Sequence, residues 1–164
     1  MKNKIIILII ISILIFSVAI VILVNSGTTT KNKIIKRFRN NKELFEKSII
    51  ELIEESEDIY FEKKGNAIRI FVHQHVGDEV NIVRIKKEDF YKYNQTIELM
   101  RLLDIKMISK TNQNIEFLFT DTFLDGGKCI VYINDMEDYI NNGHKIIEKK
   151  YILENWYYLL NDAL

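Results

Sequence analysis

From Ile5 to Val24 the chain has no polar face: Ser12 and Ser17 alone interrupt 20 otherwise apolar residues, and none carries a charge. A helix of that length spans roughly 30 Å, the hydrocarbon thickness of a bilayer, and satisfies its own backbone hydrogen bonds in lipid. The pattern predicts an uncleaved membrane anchor. The competing reading is a secretory signal, with Lys2 and Lys4 as its positive start. A cleaved signal has an apolar core of about 7–15 residues and a small-x-small exit. Here the core is longer, and the exit Val24-Asn25-Ser26-Gly27-Thr28 has no clean site. Lipoprotein processing is excluded at this point, because Cys129 is the only cysteine.

Beyond the polar patch 25–32 the apolar period becomes helical. Ile34, Ile35, Phe38, Phe45, Ile49, Leu52 and Ile53 predict an amphipathic helix from Lys33 to about Glu55. Period two takes over at Asp58. Strands are expected at 58–63 and 67–74, joined by Lys64-Gly65-Asn66, and at 81–85 after the turn Val76-Gly77-Asp78. Residues 87–104 return to helical spacing, loosened around Tyr93-Asn94, which fits one helix or two short ones. Strands follow at 105–109, 115–120 and 128–133, the last after the hairpin signal Asp125-Gly126-Gly127. A helical turn at 135–140 precedes closing strands near 145–152 and 155–160.

The fold class is therefore α+β: an N-terminal transmembrane helix, then an amphipathic helix packed on a mostly antiparallel β-sheet. Residues 1–27 form the anchor, 28–42 a basic juxtamembrane stem and 43–164 one globular domain, long enough for a real core.

Charge sharpens this division. Residues 31–42 hold six basic groups and no acid, whereas 43–164 hold 15 Lys/Arg against 23 Asp/Glu. A domain that acidic repels phosphate backbones, so nucleic acid is not an expected partner. Lys31, Lys33, Lys36, Arg37 and Arg39 read either as a collar for anionic headgroups or as a solvated stem. Positive-charge counting would keep the C-terminal part in the cytoplasm. The Met-Lys-Asn-Lys start followed at once by the apolar run favours export, and long trailing domains translocate largely regardless of charge. The domain is expected outside the cell membrane.

Candidate chemistry is sparse. His73 and His75 lie two apart at a strand end, so both imidazoles share one face. They could hold zinc with Asp78 or Glu79 as a further ligand, or they could be two rim histidines. Glu54, Glu55, Glu57 and Asp58 lack the spacing of a calcium loop and read as solvated surface. Cys129, inside an apolar run, reads as a small buried hydrophobe. No Gly-x-Ser-x-Gly and no phosphate-cradling loop occurs. Trp156-Tyr157-Tyr158 is the densest aromatic site; one face must be core, and the other could meet a partner or a glycan.

Four segments, in order, carry a resemblance: Glu43-Leu44-Phe45-Glu46; Leu103-Asp104-Ile105-Lys106 before Ile115-Glu116-Phe117; Gly126-Gly127-Lys128-Cys129-Ile130-Val131-Tyr132; and Asn155-Trp156-Tyr157-Tyr158. Across about 40–160 the chain resembles uncharacterised small membrane-anchored or lipoprotein-type proteins of Gram-positive bacteria. The resemblance implies an extracytoplasmic α+β domain on a single anchor and no catalytic residues. The expected function is a non-catalytic anchored domain, without a cofactor, that binds another envelope protein. Two alternatives stand beside it: an immunity or accessory protein to a secreted toxin, and an envelope hydrolase using His73, His75 and carboxylates.

Overall fold

The computed structural model describes residues 30–77, 79–112, 114–122, 126–134, 136–141 and 146–161. The expected anchor Ile5–Val24 lies outside them, and among the described residues no helix is long and apolar enough to cross a membrane.

The helical period starting at Lys33 resolves into two helices, α1 (Lys31–Asn40) and α2 (Lys42–Ile53). Asn41 separates them, with φ −128° and ψ 23°. Its side-chain amide donates to the Arg37 carbonyl at 2.8 Å, and its own carbonyl accepts from Leu44 and Phe45. Asparagine competes for backbone groups in this way, which is why the helix breaks there. The basic segment 31–40 is thus part of the globular core rather than a separate stem: Ile34, Ile35 and Phe38 are buried in it. Residues 87–104 divide as well, into a 3₁₀ segment (Lys87–Tyr93) and α3 (Asn94–Leu103). The short helix α4 (Met136–Asn141) comes later.

The described residues also hold eight strands: β1 (Asp58–Lys64), β2 (Ala67–Val76), β3 (Glu79–Arg84), β4 (Met107–Thr111), β5 (Asn114–Thr122), β6 (Gly126–Tyr132), β7 (Ile146–Leu153) and β8 (Trp156–Asn161). They form one sheet in the order β3-β2-β1-β4-β5-β6-β8-β7, every pairing antiparallel. The α+β class with a helix-covered antiparallel sheet is what the periodicity predicts.

Alternation assigns the two faces of the sheet. Ile59, Phe61, Ile68, Ile70, Ile108, Ile115, Phe117, Ile130, Trp156 and Tyr158 point to the face covered by α1, α2 and α3. Rings lock this layer together. Phe38 lies 4.6 Å from Trp156 and 5.0 Å from Phe45, and Phe45 meets Phe117 edge-on at 4.9 Å. Edge and tilted contacts of this kind add to the gain from burial alone.

Two polar devices hold α2 in place, one against α3 and one against β4. The Glu51 carboxylate accepts from the backbone N–H groups of Gln95 and Thr96 and from the Thr96 hydroxyl, at 2.8–2.9 Å. It thereby caps the N-terminus of α3, where orphan N–H groups and the helix dipole favour negative charge. Lys110, only 4% exposed, donates to the carbonyls of Glu55 (2.6 Å) and Glu57 (3.2 Å) just past the end of α2. A buried ammonium is tolerated because carbonyl oxygens replace its water.

Among the described residues the opposite face of the sheet is covered at one end. There α4 seats Tyr139 and Met136 over Cys129, Val131 and Leu159. Tyr139 donates to Glu116 at 2.6 Å, and burial pushes its pKa far above the ordinary value. The other end, built from β3, β2, β1 and β4, carries no helix on this face among the described residues.

Candidate interaction surface

The β2–β3 hairpin forms an arm at one end of the sheet. Alternating Ile/Val and polar residues make the strands, and Gly77, with φ of 65°, opens the turn between Val76 and Glu79. A residue with Cβ adopts that conformation only with strain. Every residue of β3 is exposed. Val76 (63% exposed), Val80 (49%), Ile82 (64%) and Val83 (44%) therefore present apolar side chains to solvent on both faces of the arm.

β3 is also one of the two sheet edges. Hydrogen bonds in an antiparallel pair alternate, so every second residue turns its N–H and C=O outward. The Ile85 N–H donates to the Ile70 carbonyl at 2.9 Å, which sets the phase. Glu79, Asn81 and Val83 therefore bond to β2, while Val80, Ile82 and Arg84 direct their backbone groups to the free edge.

Where the arm meets the 3₁₀ segment, Arg84, Ile85, Lys86, Lys87 and Phe90 line a cavity of about 290 Å³. Lys86 makes an exposed ion pair with Glu88 at 3.5 Å. Arg84 and Lys87 have no ion-pair partner among the described residues. Residues 67–87 carry four Arg/Lys and two Asp/Glu, in a domain whose remaining residues are strongly acidic.

The histidines sit on this arm. His73 and His75 share a face, as their spacing predicts, but they are separately engaged. The His73 ring packs 4.2 Å from Tyr60, and His75 Nε2 lies 3.6 Å from the Asp58 carboxylate. Asp58 in turn accepts from the Asn112 N–H at 3.1 Å. Glu79, opposite Val76, falls on the other face of the arm, and Asp78 lies outside the described residues. Among the described residues no three His, Cys, Asp or Glu side chains converge on a point that could hold a metal ion.

The remaining candidates are elsewhere. Trp156 and Tyr158 are core residues rather than a contact surface: they are 2% and 1% exposed and pack under α1 and α2. Burial pushes the Tyr158 phenol up to about 12. Tyr157, on the other face, is half-buried and packs 5.7 Å from Tyr151. Cys129 is buried and its thiol is pushed well above the ordinary range by desolvation, so it is not a nucleophile at neutral pH.

Of the basic residues on α1, Lys31 pairs with Glu148 and Arg37 donates to the Leu103 carbonyl at 3.1 Å. Lys33, Lys36 and Arg39 stay exposed. No protein-family model, curated protein or solved structure matches this chain.

Periodicity predicts both strands of the arm and the turn at Val76-Gly77-Asp78, but not that its second strand is an exposed edge of the sheet. The one sequence signal of that edge is the stretch Val80-Asn81-Ile82-Val83, which has no proline, no lysine and no acid.

Proposed function

We propose that this chain is a single-pass membrane-anchored, non-catalytic domain that faces outside the cell and binds another envelope protein through the β2–β3 arm. One observation carries the reading: a regular edge strand, every residue of which is exposed among the described residues, with Val80, Ile82 and Val83 at its surface. Such edges are templates for another chain, and isolated proteins normally blunt them. The anchor is Ile5–Val24. Lys33, Lys36 and Arg39, exposed on the first helix after it, suit anionic headgroups and would hold the domain close to the bilayer.

The test is chemical crosslinking in intact membranes, followed by recovery of the full-length protein and identification of the crosslinked peptides. The expected result is a reproducible protein partner joined to residues 76–87. Turnover of a cell-wall substrate with no crosslinked protein would replace this reading with the hydrolase. Protease shaving of whole cells should remove the domain; a protected domain would place it in the cytoplasm instead.

A further inference from the structure

The chemistry of the arm points to the class of segment it takes, an inference that rests on the arm being the binding surface. We infer that the free edge of β3 accepts an extended, acidic segment of another protein as a ninth strand, with a carboxylate of that segment seated between Arg84, Lys86 and Lys87.

Three observations converge on it. The outward backbone groups of Val80, Ile82 and Arg84 form a ladder with no partner strand among the described residues, the geometry used in β-strand addition. No register shift interrupts the β2–β3 pairing, so the edge is flat enough to continue the sheet. The ladder runs directly into the cavity of about 290 Å³, lined by Ile85 and Phe90 and by Arg84, Lys86 and Lys87, of which Lys86 also pairs with the exposed Glu88.

Charge decides between occupants. The arm has a basic excess while residues 43–164 as a whole carry 15 Lys/Arg against 23 Asp/Glu. Antiparallel pairing of two β3 edges would bring only the Glu79 end of each copy toward the basic Arg84–Lys87 end of the other. An acidic strand instead matches Arg84, Lys86 and Lys87 and avoids the repulsion that the rest of the acidic surface would impose elsewhere. Backbone bonds supply the affinity in this mode, and the alternating side chains supply the choice of partner.

Binding of a synthetic alternating Glu-Val peptide to the full-length protein in detergent tests the inference by fluorescence anisotropy. The peptide needs about ten residues to span one strand. The acidic peptide should bind, a Lys-Val peptide of the same length should not, and a Glu-Val peptide interrupted by proline should lose binding roughly tenfold or more. Raising NaCl from about 0.05 M to about 0.5 M should weaken binding, as expected for a screened surface contact.

Ile82→Pro removes only an outward N–H and should abolish binding with the circular dichroism spectrum retained. If that variant misfolds, the double variant R84E/K86E serves in its place and should reverse the preference toward the Lys-Val peptide. Equal binding of both peptides, or binding unaffected by R84E/K86E, would overturn the inference. So would a dimer in sedimentation that Ile82→Pro dissolves, because a second copy would then own the edge. If the peptides fail while crosslinks to residues 76–87 persist, the arm remains the binding surface and only the acidic-strand chemistry is wrong. Loss of both would remove the arm as a site.

Discussion

The two edges of the sheet are built to opposite rules. At one end β7 carries Glu148, Lys149 and Lys150, and its pairing with β8 shifts register twice, between Ile146 and Glu148 and between Tyr151 and Leu153. Lys31 of α1 reaches over to Glu148, so a helix side chain also guards that edge. At the other end β3 has no register shift, no lysine and no proline, and three of its six residues are Val or Ile. Charges, bulges and covering elements are the devices that keep sheet edges from pairing. Among the described residues the β7 edge has all three, whereas β3 has charges only at its two ends, Glu79 and Arg84, and no bulge. The difference teaches that the regular, uninterrupted edge of β3 is not a general feature of this sheet, since the far edge is broken by two register shifts and carries charge along its middle.

The largest expected effects lie under the helices, far from the open arm. Trp156→Ala should cost about 3–5 kcal/mol in urea unfolding, because it empties the site shared by Phe38, Phe45, Phe117 and Tyr132. A loss under about 1 kcal/mol would mean that the aromatic layer is not the core. Glu51→Ala comes next. It strips three hydrogen bonds from the start of α3 and should cost about 1–2 kcal/mol by the same measurement.

The comparison itself is sharpened by moving a device from one edge to the other. Ile82→Lys gives β3 the residue type that β7 already has. Unfolding should change by no more than about 0.5 kcal/mol, since the side chain is exposed. Crosslinking to the partner should fall away. Retained crosslinking would mean that the edge is not what the partner reads.

Acid and alkali probe smaller contributions. Burial raises the Tyr158 phenol from 10.0 to about 12, so the unfolded chain releases that proton first. Stability should therefore decline as pH rises from about 10 to about 12, and Tyr158→Phe should flatten that part of the curve. Asp104 accepts hydrogen bonds from Lys63 and Lys106, which hold its carboxyl below the ordinary value of 3.8. Its contribution is present above that value and lost as pH falls through the lowered one. The group is largely exposed, so solvent screening keeps Asp104→Asn within about 0.2–1 kcal/mol.

Much of this fold was legible in local periodicity. The alternation beginning at Asp58, the turn at Gly65-Asn66 and the switch back to helical spacing after Lys87 all mark real elements. What stayed hidden depends on non-local pairing. Alternation says that Trp156 and Tyr158 share a face, but only the docking of α1 and α2 makes that face the core. Six basic groups at 31–42 read as a stem, and although Ile34, Ile35 and Phe38 show helical spacing, only the tertiary packing reveals that this stripe binds α1 into the domain. Asn41 shows how one short polar side chain can break a periodic pattern that otherwise runs on. The site was the least legible part. The histidines drew attention through their ligand chemistry, whereas the exposed edge is defined by which strand lies beside β2 and by there being none beyond β3 among the described residues, which no local pattern encodes.

A photo-crosslinking residue placed at position 82 in the full-length protein, compared with one at position 149, tests this account most directly. In intact membranes the probe on β3 should yield a discrete adduct with another protein and the probe on β7 should yield none. Adducts from position 149 alone, or equal adducts from both, would contradict the claim that the sheet is open for a partner at its β3 edge.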